Sequence, residues 1–350
     1  MSLSQPYDFL IQWHLTERCN LKCRHCYQEG GNFNELSLDE IYRAIDEISD
    51  MLAAWHDDYD LDFSPSFNVT GGEPFLRSGF FDILARLVKT GFEIYILSNG
   101  TCITRETAQK IAALGVHGVQ ISLEGPEEIH EQVRGRGSFG AALRGVRNLL
   151  QAGVKVSLNA TISRMNAGYF QEMVGLAIEL GVPRLGFSRL VPSGRGKDLL
   201  DDMLTIDETK RFYEGILAMQ VEGLEIATGD PMAAQMNAST PADDDTNAFP
   251  AGGCAAGVSG LTILADGTVT PCRRLPIALG KVGENSLREI WATSPVLEQL
   301  RNKELYQGKC GKCPRWSACR GCRAIAYAFA QAQGNPDFLA PDPQCFIDSD

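Results

Sequence analysis

The sequence has no excess of positive charge, no long apolar run and no even count of cysteines, and each absence removes a class of protein. With a net charge of −12, no basic face for phosphate contacts is expected, so nucleic acid is excluded as a partner. No stretch approaches the ~18–20 uncharged apolar residues of a membrane span, so no membrane partner is expected. The opening residues MSLSQPYDFLIQWHLTERC lack a basic segment followed by an apolar run. No secretory signal is therefore expected, and a cytoplasmic location follows. Thiols stay reduced there. The 11 cysteines are an odd number and cannot all pair, so metal explains them better than disulfides. No solenoid-type repeat is present.

What the chain does have is a rhythm. Candidate strands are Ile11–Thr16, Phe67–Thr70, Glu93–Leu97, Gly118–Leu123, Val154–Ala160 and Arg184–Leu190. Candidate helices lie between them, at Leu38–Ala54, Gly79–Lys89, Arg105–Ala113, Phe139–Ala152 and Tyr169–Leu180. Ser37 with Glu40 forms a capping box for the first. Gly91, Gly115, Gly153 and Gly181 stand where left-handed helix ends want glycine. Six β-α units predict an α/β fold, a partial (β/α)6 TIM-like barrel with its chemistry in loops after the strands. Thr205 and Glu208 open a further helix running to about Val221. Residues 229–253 read as a linker. The expected domains are 1–230, the barrel, and 231–350, a small cysteine-rich domain holding 7 of the 11 cysteines.

Cys19, Cys23 and Cys26 form CNLKCRHC, immediately after the first strand. Three thiolates on one tight loop can hold three irons of a [4Fe–4S] cube and leave the fourth open for chemistry. The alternative is a zinc site completed by His25 or His14. CNLKCRHCY, with Gly71-Gly72-Glu73-Pro74 after the second strand, resembles the radical S-adenosylmethionine (SAM) superfamily. The resemblance implies that SAM chelates the open iron and is cleaved to methionine and a 5′-deoxyadenosyl radical, which makes Cys19, Cys23 and Cys26 catalytic. It also implies roles for single residues. Tyr27 would cover the cluster. The glycines would let backbone approach the ligand, and Glu73 would accept from the SAM amine. Ser122 and Glu124 would meet SAM, Arg134 its carboxylate, and Asn159 and the Val191-Pro192 turn its ribose and adenine.

Cys254, Gly267, Cys272, Cys310, Cys313, Cys319, Cys322 and Cys345 resemble a SPASM domain, the auxiliary-cluster domain of radical SAM peptide-modifying enzymes. Leu261–Pro271 reads as a hairpin with an Asp-Gly turn that brings Cys254 and Cys272 together. The resemblance assigns Cys310, Cys313, Cys319 and Cys345 to one cluster, and Cys254, Cys272 and Cys322 to another. Cys319 and Cys322 are spaced x2 where the family often has x3. No cysteine stands near Leu261 to complete the second set, so that cluster is expected to have an open iron or to take another ligand. The alternative is a zinc knuckle of Cys310, Cys313, Cys319 and Cys322. Cys102 belongs to neither set.

The expected cofactors are three [4Fe–4S] clusters and SAM. The first functional reading is maturation of a ribosomally made peptide by crosslinking or side-chain oxidation. Because the cluster loop already begins at Cys19, either a separate recognition protein is expected or the substrate is recognised differently; an electron donor such as flavodoxin or ferredoxin is expected as well. The second reading is small-molecule or haem-pathway oxidation, since Arg189–Gly196 resembles a segment of radical SAM enzymes of the alternative haem pathway. Arg189 and Arg195 would pair with substrate carboxylates, or the segment is a plain linker. Oxidation of a sulfatase residue is disfavoured by Arg273, where that group commonly has an Asp base. A non-catalytic zinc scaffold is the reading from another class.

Overall fold

The computed structural model describes residues 6–31, 34–233, 250 and 252–347. The six expected strands pair in parallel as β1 (Tyr7–His14), β2 (Phe63–Thr70), β3 (Glu93–Ser98), β4 (Gly118–Ser122), β5 (Val156–Ile162) and β6 (Arg184–Arg189). A seventh, β7 (Glu225–Thr228), adds parallel to β6 at one edge. At four residues it is too short for alternation to reveal it. At the other edge β8 (Gly260–Ile263) runs parallel to β1, and β9 (Thr268–Thr270) and β10 (Gly280–Lys281) follow antiparallel. The order β10-β9-β8-β1-β2-β3-β4-β5-β6-β7 leaves the barrel open.

The hairpin turns at Gly267 with φ +89°. Gly260 lets β8 approach β1, since a Cβ there would lie 2.2 Å from the Leu10 carbonyl oxygen. Barrel and cysteine-rich region thus share one sheet. Within the expected linker at 229–253, residues 234–249 and 251 lie outside the described residues.

Helices α1 (Leu38–Tyr59), α2 (Phe80–Val88), α3 (Arg105–Leu114), α4 (Glu127–Arg134), α5 (Ser138–Gln151), α6 (Phe170–Leu180) and α7 (Ile206–Leu217) cover the parallel strands. Both capping boxes form, at Ser37 and Thr205. The last helix ends at Leu217, short of Val221. The short α4 was not expected. Its buried face is only Ile129, His130 and Val133, too few turns for a clear period. Phe9, Trp55 and Trp291 pack with ring centroids 5.1–5.6 Å apart, joining β1, α1 and α8 (Leu287–Thr293). Three more helices follow: α9 (Pro295–Arg301), α10 (Gly308–Lys312) and α11 (Arg323–Ala332).

The strands' two faces separate the core from the site. Ile121, Leu158, Ala160 and Phe187 face the helices and are buried. Their neighbours Gln120, Asn159, Thr161 and Ser188 point the other way and line cavities inside the barrel. Strand side chains alternate between faces, so this barrel interior is polar and hollow, unlike one filled by branched apolar layers.

Candidate active site

The chain leaves β1 at His14, and the described residues between there and α1, 15–31 and 34–37, form no helix or strand. The thiols of Cys19, Cys23 and Cys26 line one cavity, together with Gly71, Gly72, Ser122, Asn159 and Val191. The loop is held from several sides. Arg24 N donates to Val133 O at 2.8 Å, and Asn99 Nδ2 to Asn20 Oδ1 at 2.9 Å. Gly196 N donates to Cys26 O at 3.0 Å, and Arg195 Nε to Cys23 O at 3.2 Å. Gly194 lies so close that a Cβ would sit 2.3 Å from the Tyr27 carbonyl. The Pro192–Gly196 segment is therefore no solvated linker; it braces the cluster loop.

Burial pushes the Cys19 thiol up to about 11 and raises that of Cys23, where Arg134 opposes the effect. Thiolates here need positive charge beside them, which a metal cluster supplies. The residues present fit such a group: three thiols facing one cavity, with the Arg134 guanidinium 3.8 Å from the Cys23 sulfur. His14 and His25 are engaged elsewhere. His14 meets Tyr27 Oη at 3.2 Å and Gln28 at 3.4 Å, and His25 meets Glu124 at 3.3 Å. Burial, with nearby Arg273, drops His14 to about 3, so it is neutral.

The Gly71–Pro74 segment divides: Gly71 and Gly72 line the cavity, and Glu73 and Pro74 do not. Gly71 has φ +148°, and Cβ atoms on Gly71 and Gly72 would lie 2.4 Å from the carbonyls of Thr16 and Arg18. The close approach is to the cluster loop's own backbone, cemented by Gly72 N to Thr16 O and Glu73 N to Arg18 O, both 2.8 Å. Gly71→Ala should cost about 2–4 kcal/mol through left-handed strain and overlap. A lowered urea midpoint with reduced iron retention checks this.

Glu73 does not line the cavity. Its carboxylate accepts from Ser98 Oγ at 2.8 Å and Asn99 N at 2.9 Å, tying the loop to the end of β3. Pro74 likewise sits outside the lining and opens a single 3-10 turn at Pro74–Leu76.

Burial lifts Glu73 from 4.5 to about 7. The folded state holds the proton more tightly, so stability present below about pH 4.5 is lost as pH rises through about 7. The effect is up to about 3 kcal/mol. In Glu73→Gln that slope in the urea midpoint should flatten.

Glu124, expected at SAM, is also behind the wall. Its Oε1 accepts Arg134 Nε at 2.8 Å and Nη2 at 2.6 Å, and its Oε2 accepts Thr161 N at 2.8 Å. Burial opposes its ionisation, but Arg134 and His25 outweigh this and hold it well below the usual carboxylate range. Arg134 does line the cavity, yet three of its nitrogens already serve Glu124 and Cys23. Tyr27 reaches the lining as well but spends its hydroxyl on His14. Ser122, Asn159 and Val191 remain in the lining as expected residues. Sequence reasoning missed Gln120, Thr161 and Ser188, whose signal was polar residues on the inner row of β4, β5 and β6.

The C-terminal thiols separate into two groups. Cys310, Cys313, Cys319 and Cys345 line one small cavity, and Cys254, Cys272 and Cys322 line another. Between Cys319 and Cys322, Arg320 (φ +61°) and Gly321 (φ +60°) are both left-handed, which reverses the chain within two residues. That is how an x2 spacing sends neighbouring cysteines to opposite sites. Arg320 donates to Ser317 O, Gly252 O and Cys254 O, stitching the groups together. The 11 cysteines carry no disulfide, and Cys102 lies in none of these linings. Among the described residues no three His, Cys, Asp or Glu groups are gathered for a single metal ion.

Arg189 corrects the haem-segment expectation. It is fully buried, with Nε and Nη2 on Asp230 (2.7 and 2.9 Å), and Nη1 and Nη2 on Asp342 (2.9 and 2.8 Å). Its charge is consumed inside the protein and cannot reach a substrate.

Residues 13–177 match the radical SAM superfamily, and residues 254–323 match the SPASM iron–sulfur cluster-binding domain. An AdoMet-dependent heme synthase of Methanosarcina barkeri (strain Fusaro / DSM 804) is 32% identical, over 96% of this chain and 95% of that protein. The chain belongs to the radical SAM superfamily. This radical SAM enzyme is also 31% identical to the mycofactocin maturase MftC of Mycolicibacterium smegmatis, over 96% of this chain and 82% of that one. Its fold is similar to that of Streptococcus suis SuiB bound to precursor peptide SuiA, with TM-score 0.72 and 16% identity, covering 94% of this chain and 74% of that one. It is an iron–sulfur enzyme whose radical SAM domain carries one [4Fe–4S] cluster and binds SAM, with a C-terminal domain of the auxiliary-cluster type. Among the described residues no helix is long and apolar enough to cross a membrane.

Proposed function

We propose that this enzyme abstracts hydrogen from a side chain of a ribosomally made peptide, held between two cluster sites in the barrel, and so oxidises or crosslinks it. One observation carries the reading. The cavity at Cys19, Cys23 and Cys26 and the cavity at Cys254, Cys272 and Cys322 share walls at Leu97, Gln120, Asn159, Ser188, Arg273 and Arg274. A substrate there touches both. When bound, the first cluster and SAM supply one-electron cleavage to a 5′-deoxyadenosyl radical, and a C-terminal cluster supplies an electron acceptor.

The protein's own residues position and exclude. Gly71, Gly72, Ser122, Asn159 and Val191 are the proposed SAM contacts. Asn99 and Arg134 flank the Cys19 and Cys23 sulfurs. Tyr27 and neutral His14 close the wall beside Cys26 against water, and orientation of the reacting carbon is the main contribution. We assign Cys310, Cys313, Cys319 and Cys345 to one auxiliary cluster, and Cys254, Cys272 and Cys322 to the other, with an open iron toward the cavity. The domain boundary lies near residue 230. The setting is cytoplasmic, with a separate peptide-recognition protein and a flavodoxin or ferredoxin as electron donor.

A second reading, oxidation of a tetrapyrrole side chain, is favoured by the names of the heme synthase relatives.

The test is anaerobic reconstitution. About 12 iron and 12 sulfide per chain, for three clusters, and 5′-deoxyadenosine formed with dithionite support the reading; stoichiometric zinc without iron ends it. Release of 5′-deoxyadenosine stimulated by a precursor peptide rather than by iron coproporphyrin III favours the first substrate class.

A further inference from the structure

In a chain of net charge −12, no Asp or Glu among the described residues lines either cavity, while Arg134, Arg195, Arg273 and Arg274 all face the first cavity. Two of these are spoken for. Arg134 is bound to Glu124, and Arg195 donates to the Cys23 carbonyl. Arg273 and Arg274 differ. They alone among the four also line the second cavity, at the wall between the two thiol groups. Among the described residues neither has a carboxylate within ion-pair distance. Arg273 lies over the Tyr27 ring at 5.8 Å. Arg274 gives Nη1 to Arg189 O at 3.4 Å, and its buried Nε has no partner. The charges that act most on Arg274 are those of the Cys322 and Cys272 sulfurs, ahead of Asp230, the carboxylate already held by Arg189.

Two adjacent guanidiniums on a wall where no described carboxylate stands are costly unless anions join them; the Cys272 and Cys322 thiolates offset part of that charge, and a substrate anion would offset the rest. The planar fork is suited to a carboxylate, taken bidentately. We infer that Arg273 and Arg274 bind a carboxylate of the substrate, and so suspend it between the SAM-side thiols and the Cys254–Cys272–Cys322 group. The inference rests on the proposed substrate cavity. It names the substrate class as carboxylate-bearing, whether that group is a peptide carboxylate or a propionate on a ring.

The test uses full-length, anaerobically reconstituted holoenzyme and reads binding by titration calorimetry. The probe for the site itself is glutarate against glutaramide. Iron coproporphyrin III against its tetramethyl ester, and a C-terminally free precursor peptide against its amide, distinguish the sources. At least one acid should bind ~10-fold or more tightly than its neutral partner, and the preference should vanish in Arg273→Met/Arg274→Met. Arg273→Lys/Arg274→Lys should restore part of it, and circular dichroism with iron content establishes that the variants fold. Equal binding of acids and neutral analogues overturns the inference. So does a preference that survives in the Met variant. A shift in the auxiliary-cluster midpoint potential without any change in acid binding also overturns it, because the arginines then serve the cluster's charge. The wild-type holoenzyme's dithionite-driven SAM cleavage is measured beside these. Its absence sinks the radical reading, whereas its presence with no acid preference sinks only the carboxylate.

Discussion

Cys23→Ala is expected to abolish formation of 5′-deoxyadenosine and to lower reconstituted iron from about 12 to about 8 per chain. Cys23 is the buried member of its triad, and its sulfur faces the Arg134 guanidinium at 3.8 Å. Removing it leaves two thiols on the loop, one of them solvent-exposed Cys19, too few to hold a cube that already lacks one protein ligand. The C-terminal thiols are untouched, so their iron stays. The residual clusters should still give a reduced-state electron paramagnetic resonance signal, but one that no longer responds to added SAM. Retention of about 12 irons together with SAM cleavage would remove Cys23 from the ligand set. Arg134→Met should act more mildly, since it frees Glu124 and uncovers Cys23 without removing a donor.

Arg189→Met is expected to destabilise the protein by about 3–5 kcal/mol, because it strands two buried carboxylates. Asp230 and Asp342 are both buried, and Asp342 also accepts Cys322 N at 2.8 Å and Gln344 N at 3.0 Å. Burial opposes ionisation of Asp342, but Arg189 and these amides overcome it and hold it below its usual value. A depressed carboxylate contributes stability above its unfolded value that is lost as pH falls through the folded one. The deficit of the variant should therefore be largest near neutrality and shrink below about pH 4. Adding Asp230→Asn and Asp342→Asn should recover part of the urea midpoint. Iron at the C-terminal sites should fall as well, since Asp342 anchors the Cys322 backbone. If Arg189 met substrate instead, the midpoint would hold and only KM would rise.

The parts of the fold that could be read directly were those with a repeating local signal. Alternation along the strands, the two capping boxes and the glycines at helix ends all depend on residues a few positions apart. The short elements escaped: β7 with four residues and α4 with eight offer too little period. So did the inner row of the barrel. Gln120, Thr161 and Ser188 look like ordinary exposed positions until the sheet curves and turns them toward one cavity.

By itself, the order of residues determined the chemistry class: three cysteines within eight positions after a strand, Gly71–Gly72 after the next, and a spaced C-terminal cysteine series. Ligands on one short loop converge whatever surrounds them, so their spacing is sufficient. The tertiary structure alone decided which charges are spent and which face the cavity. Arg189 meets Asp230 and Asp342 across 41 and 153 positions, whereas Arg273 and Arg274 reach a wall with no acid among the described residues. Neutralisation of a buried charge is a sum over neighbours in space, drawn from segments whose meeting no local pattern encodes.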